Sequence, residues 1–294
     1  MLWLIFGLLS ALFFALLHIT SKYAVERADP YYLSNAIWIT YSALSLPLVL
    51  LFHQKIVMNK ETVLGFIGIG LLIFSTNILY LKSLKYGDIS KTVPLLSITP
   101  IFTLGIAMLW LREFPKMSGI LGIILIIAGT YFINFEHFRG DRVFAPFHQL
   151  FKNRASRLML LVAAAYGLGS VTDKFIINHS NILTRIALFS YFALVFNTVY
   201  LAARDRRLFI AKTKDSFRLW KTVLLLDVFY FLTLYFQMTG LSLTYTSYVI
   251  ALKRTSAVFS VILAYFIFNE RRHFRAALAA TVLMMAGVFL MAFF

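Results

Sequence analysis

The stretch Thr92–Leu111, TVPLLSITPIFTLGIAMLWL, runs for 20 residues without a charge and closes on Arg112-Glu113. A hydrocarbon core of about 30 Å needs about 20 residues at a rise of about 1.5 Å each, so this segment is long enough to cross a bilayer. Outward from it the same pattern recurs. Charge-free runs cover Met1–Ser21, Pro30–Phe52, Thr62–Leu81, Met117–Phe135, Ile186–Ala203 and Ala276–Phe294. Three further spans, Arg157–Ile177, Thr222–Leu243 and Tyr245–Phe268, contain charges. Ten such segments joined by basic loops predict an all-α membrane protein with ten transmembrane helices.

Composition agrees. The 294 residues are 61% hydrophobic and only 14% charged, with a mean hydropathy of +0.82, outside the range of an ordinary globular domain. The runs are continuous and do not alternate, which excludes a membrane barrel. A net charge of +16 raises the question of nucleic acid. The basic residues, however, sit in loops between spans, where they set orientation and meet anionic headgroups, so membrane lipids are expected partners and nucleic acid is not. The absence of cysteine excludes disulfides, thiolate metal sites and thiol nucleophiles. The first run starts at Met1 with no basic residue before it and no small-residue cleavage site, so it reads as a retained helix.

The chain also repeats itself. Thr20-Ser21-Lys22-Tyr23 closes the first span and Thr172-Asp173-Lys174-Phe175 closes the sixth, an offset of 152. The fourth span carries Ile98-Thr99-Pro100 and ends in Leu111-Arg112-Glu113; the ninth carries Arg254-Thr255-Ser256 and ends in Phe268-Asn269-Glu270, offsets of 156 to 157. Ala128-Gly129 recurs as Ala286-Gly287 after 158 residues. A five-helix unit has an odd number of crossings, so its second copy must enter from the opposite face. The expected architecture is therefore two inverted five-helix repeats, 1–135 and 158–294, joined by a basic interfacial linker, 136–157. Of the 28 lysines and arginines, 20 fall in loops on one side and 6 on the other, which predicts both termini outside.

These features resemble the EamA-type branch of the drug/metabolite transporter superfamily. The resemblance rests on the duplicated unit, on Trp110-Leu111-Arg112-Glu113 followed by Gly119-Ile120-Leu121-Gly122 and Gly129, and on Phe268-Asn269-Glu270 followed by Ala286-Gly287. It implies an alternating-access carrier in the cell membrane and, as in many members, an exporter of amino acids, metabolites or toxic compounds. Two departures stand out. Ser256 replaces the proline often found there, and many members are described with both termini in the cytoplasm.

Lys253 and Arg254 are the most unusual residues, lying in the middle of the ninth span. Each central charge costs about 2.5–3.5 kcal/mol on insertion scales, so the pair offsets most of what the apolar residues of that span contribute. Both must face the bundle interior. They mark a substrate pathway, or alternatively a fixed contact that holds the span. Their repeat mates are Ser97 and Ile98, so the cationic site belongs to one half. Asp227 is the candidate counter-ion, but helix rise leaves about 12 Å of depth between it and Lys253. A gate or protonatable group is therefore the other reading of Asp227.

Asp227, Tyr230, Leu234 and Gln237 form a polar stripe on the eighth span, and Asn77 and Tyr80 share that spacing on the third. With Trp38, these side chains are candidate substrate contacts, the alternative being interhelical hydrogen bonds. His18, Asn35 and Asn197 read as packing. Lys22, Lys82 and Lys174 are placed to snorkel to the interface. Glu113 and Glu270 read as orienting tight turns. Gly65-x-x-Gly68, Gly119-x-x-Gly122 and Ala276-x-x-x-Ala280 are expected to let helices approach.

The predicted function is secondary transport of a small organic solute, with the cations suggesting a carboxylate or phosphate. No Gly-x4-Gly-Lys-Ser/Thr loop exists and no cofactor is called for, so coupling would come from a proton, a gradient or exchange. Monomer and homodimer both remain open. A flippase for a lipid-linked substrate is the alternative, favoured by a sidewall opening lined by Lys253 or Arg254. An intramembrane lipid enzyme ranks lower, since no nucleophile elbow or His-x-x-x-His cluster is present.

Overall fold

The computed structural model describes residues 1–51, 55–135, 153–204, 206–267 and 274–293, and these are helical with short connections. In chain order the helices are α1 (Leu2–Val25), α2 (Pro30–Leu51), α3 (Lys60–Tyr86), α4 (Ile89–Thr92), α5 (Thr99–Trp110), α6 (Met117–Phe135), α7 (Arg154–His179), α8 (Ile182–Arg204), α9 (Arg206–Ser216), α10 (Trp220–Leu243), α11 (Thr246–Lys253), α12 (Ser256–Ile267) and α13 (Phe274–Phe293). A 3-10 turn, Val93–Ile98, joins α4 to α5. Among the described residues, six stretches are long and apolar enough to cross a membrane: Leu2–Val25, Lys60–Tyr86, Arg154–His179, Ile182–Arg204, Ile210–Leu243 and Thr246–Ile267. The protein is a multi-pass integral membrane protein.

Local chemistry sets the helix starts. Asn59 accepts a hydrogen bond from Thr62 N at 2.8 Å and opens α3. Asn153 does the same for Ala155 N at 2.9 Å on α7. Asp29 accepts from Tyr31 N at 2.9 Å on α2, whose first residue is Pro30, a position where the missing N–H is no loss.

Packing relates the halves reciprocally. α1 lies along α10 and α3 along α7, while α2 meets α8 and α6 meets α13. Exchanging the fivefold sets of spans maps each of these pairs onto another of them or onto itself. Apolar side chains face outward too: Leu2, Ile5, Leu8 and Leu12 on α1, Leu64, Ile67 and Leu71 on α3, and Val282, Met285 and Phe289 on α13 are exposed at helical spacing. A helix apolar on every face suits a lipid surround.

Small residues set the closest crossing. A Cβ built on Gly122 would come 2.5 Å from the Gly287 carbonyl oxygen, and one on Gly287 would come 2.5 Å from that of Gly122. α6 and α13 therefore meet backbone to backbone. Gly119 faces the Tyr248 ring and Gly65 faces Ile176, whereas Gly68 has no neighbour within 4 Å and serves no close approach. The Ala276 and Ala280 side chains, Glu270 and most of the linker lie outside the described residues.

Two lysines expected to snorkel do not. Lys22 is mostly buried and donates to the carbonyls of Leu84 and Gly87, each at 2.9 Å. Lys174 donates to the carbonyls of Leu241 and, at 3.1 Å, Thr244. Each ammonium thus caps the C-terminus of a neighbouring helix, α3 or α10, where unpaired carbonyls and the helix dipole favour a cation. The two contacts are repeat mates. Lys82 stays at its helix end, bonded to the Tyr31 hydroxyl.

Candidate functional site: a cationic cavity at a broken helix

The ninth span is not one helix. α11 ends at Lys253, and the next bonds run three residues back and not four: Arg254 N to Ala251 O at 2.9 Å, Thr255 N to Leu252 O at 3.0 Å, Ala257 N to Arg254 O and Val258 N to Thr255 O at 3.0 Å. The Thr255 hydroxyl also donates to Leu252 O at 2.8 Å, drawing that carbonyl away from a helical partner. The fourth span breaks at the matching place, in the 3-10 turn before Pro100. Lys253 and Arg254 therefore sit at a turn within the span, and not in mid-helix as expected. A break at membrane depth frees backbone groups and side chains to line a cavity.

Both cations face inward, with Lys253 7% and Arg254 2% exposed. They line a cavity of about 60 Å³, room for about four water molecules. Lys253 Nζ donates to Gln237 Oε1 at 2.5 Å and lies 3.9 Å above the Phe14 ring. Gln237 Nε2 donates in turn to Asp173 Oδ2 at 3.5 Å. The other oxygen, Asp173 Oδ1, accepts from Arg185 Nε at 2.7 Å and from Arg185 Nη2. The sequence Lys253–Gln237–Asp173–Arg185 crosses α11, α10, α7 and α8, all from the second half of the chain. Arg254 Nε donates to Ile250 O at 3.3 Å, while its Nη1 and Arg185 Nη1 are buried with no partner among the described residues. Three cations and one carboxylate leave the cavity with a formal charge of +2.

Tyr230, Tyr166 and Phe14 supply aromatic wall, and Thr76, Thr233 and Ser170 supply hydroxyls. A smaller cavity of about 20 Å³ adjoins it across Tyr166 and Tyr230, lined by Trp38, Asn77, Tyr80 and Ser21. Ser21 is the repeat mate of Asp173 (offset 152), and Tyr80 stands 157 residues before Gln237. The two cavities are thus equivalent places in the two halves, one charged and one neutral. Asn77 Nδ2 donates to Ser34 Oγ at 2.9 Å, and Tyr80 Oη lies 2.6 Å from His18 Nδ1. Trp38 packs edge-on against Phe189 and Tyr230. Asn197 and Asn35 are engaged between α8 and α2 through Ser34 and Thr198.

Of the predicted residues, Lys253, Arg254, Tyr230 and Gln237 converge on the charged cavity. Asn77, Tyr80 and Trp38 lie on the neutral one. Asp227 lines neither. It is bonded by the Thr40 hydroxyl on a different side of α10, so it is not the counter-ion of Lys253. That role falls to Asp173, through Gln237. Sequence reasoning singles out neither Asp173 nor Arg185: the first appears only within the motif that closes the sixth span, and the second stands just before the charge-free run Ile186–Ala203. Arg185 is within α8 and fully buried. The available signal was the replacement of Ser21 by Asp173 in an otherwise matching repeat motif.

Glu113 is also more than a turn former. Its Oε2 accepts from Thr246 N at 2.7 Å and its Oε1 from Thr246 Oγ1 at 3.0 Å, capping α11 from the end of the fourth span. Lys174 Nζ lies 4.0 Å from the same carboxylate.

A model of the EamA-like transporter family matches residues 1–135 and 154–293. The chain belongs to that family. Among its relatives is an uncharacterised protein of Methanocaldococcus jannaschii, 28% identical over 139 residues that make up 46% of this chain and 97% of the relative. A protein of about half this chain's length thus matches a little under half of its residues. A protein known from a crystal structure superposes with a TM-score of 0.73, at 14% identity, over 99% of this chain and 96% of its own. At that identity the likeness shows the fold alone.

Proposed function

We propose that this EamA-like protein is a secondary carrier that moves a small organic anion across the membrane by rocking one inverted five-helix half against the other. The observation that carries the reading is the +2 cavity at the break of the ninth span, where Arg254 and Arg185 each hold a buried N–H without a partner among the described residues. An organic anion would supply an acceptor and offset the charge, and the aromatic walls would cover an apolar body. Broken helices paired across two repeats, with the site at the breaks, are the arrangement expected of such carriers.

Export suits the charge. A monoanion leaving a cell with a negative interior gains about 2.3 kcal/mol per 100 mV. The cell membrane is the proposed location, with both termini outside; a reporter fused to the C-terminus would be active outside the cell, and activity inside would overturn the orientation. The flippase alternative required a side opening at Lys253 or Arg254. A crevice between α2 and α10 is lined by Asp227 and by neither Lys253 nor Arg254, which does not favour it.

Metabolite profiling of cells with and without the protein would identify a candidate solute. Proteoliposomes loaded with that labelled solute then test the site. Efflux should rise with an inside-negative potential and fall by about tenfold or more in Lys253→Gln and in Arg254→Gln, the loss expected for a charge-assisted bond. Equal efflux from the double variant and the parent would overturn the reading.

A further inference from the structure

Asp227 has no place in the cationic cavity, and its surroundings point to a site of opposite preference. The residue is 2% exposed. Its Oδ2 accepts from the Thr40 hydroxyl, while Oδ1 accepts no hydrogen bond among the described residues. With its carboxylate oxygens covered, it lines a crevice of about 390 Å³ between α2 and α10, walled by Tyr41, Leu44, Pro47, Val228 and Phe231, so an occupant reaches Oδ1 only when these side chains part. Among the described residues no lysine or arginine lines this crevice. Ser45 contributes little polarity, because its hydroxyl already donates toward the Ser42 and Ala187 carbonyls. At the mouth, Leu44 and Val228 are 44% and 49% exposed on an apolar belt, so the opening faces lipid.

A carboxylate walled by hydrocarbon and lacking a cation is costly, and a protonated amine supplies both the charge and the missing donor. We propose that the crevice is a second binding site, separate from the anion cavity, that takes a lipophilic amine from the bilayer. Its ammonium bonds Asp227 Oδ1 and its apolar body lies between Tyr41, Pro47 and Phe231. The occupant is a compact amine and not an aminophospholipid for two reasons. Asp227 is seven residues into α10, about 10 Å along the helix and beneath the headgroup layer. In addition, no lysine or arginine stands among the described lining residues to meet a lipid phosphate.

The test uses the purified full-length protein in nanodiscs with fluorescent dansylcadaverine and its N-acetylated, uncharged counterpart. The parent should bind the amine about tenfold or more tightly than the neutral compound. In Asp227→Asn that preference should vanish. Val228→Trp changes only a lipid-facing side chain at the mouth, and it should weaken both compounds even where Asp227→Asn fails to fold. Lys253→Gln should leave amine binding unchanged, whatever becomes of anion transport. Equal binding of the two compounds by the parent, or an amine preference that persists in Asp227→Asn, would overturn the proposal. So would failure of the parent to bind amine, as when a second copy covers the crevice.

Discussion

Asp173 is held by Arg185, twelve residues further along the chain, through two hydrogen bonds to a single carboxylate oxygen. The other oxygen faces Gln237, which leaves Lys253 linked to the carboxylate only through that amide. A buried ion pair of this kind contributes little net stability, yet losing one partner strands the other. Asp173→Leu or Arg185→Leu alone should therefore lower stability by about 3–5 kcal/mol, and the double replacement should regain most of it. Thermal unfolding in detergent measures the recovery. Substrate binding should not recover with it, because Arg185 Nη1 is a cavity donor with no partner among the described residues.

Gln237 sets the charge of the cavity without being charged. Gln237→Glu keeps the shape and places a carboxylate beside Lys253, reducing the formal charge from +2 to +1 and pairing the lysine. Anion affinity should fall by about tenfold or more in a binding titration, and the melting temperature should fall too, because the new carboxylate loses the bond to Asp173 Oδ2 and stands against it. An unchanged affinity would show that Lys253 does not meet the solute.

The glycines of the two motifs should behave in opposite ways. Gly68 has open space around it, so Gly68→Ala should stabilise the helix by about 0.5–1 kcal/mol through backbone entropy. Gly287→Ala meets the Gly122 carbonyl and should cost about 1–3 kcal/mol. Paired melting curves of the two variants decide the matter.

Lys174 and Glu113 tie separate helix ends together at one side of the bundle. Removing the Glu113 cap with Glu113→Ala should cost about 0.5–2 kcal/mol. Lys174→Met should cost about 1–3 kcal/mol by leaving the Leu241 and Thr244 carbonyls unpaired. Hydrogen exchange should show faster opening at the start of α11 for the first variant and at the end of α10 for the second.

Sequence patterning gave a sound account of the coarse architecture because long apolar runs leave few alternatives in lipid. Helical class, the approximate spans and the inward direction of Lys253 and Arg254 followed from hydropathy and insertion cost alone. The breaks in the fourth and ninth spans did not, since an apolar run reads the same whether its backbone bonds step by four or by three. Charges near span ends were harder still. Arg185, Lys174 and Lys22 all lie within a few residues of a loop, where snorkelling and burial give the same local pattern. Only the facing helix decides between them. For Lys22 and Lys174 that partner is a row of carbonyls some sixty residues away. Helical spacing puts Asp227 on the polar stripe, and about 12 Å of depth already argues against a direct pair with Lys253; only the facing helix, α2, shows Thr40 as its partner.

The two broken spans differ in one chemical respect. The fourth is interrupted by Pro94 and Pro100, whose ring nitrogens can never rejoin a ladder, so its bend is permanent. The ninth turns at Arg254-Thr255 with Ser256 in the equivalent place, and nothing covalent prevents that backbone from straightening. This joint keeps a freedom that its counterpart, fixed as a strut, lacks, and Lys253 and Arg254 beside it would swing with any straightening.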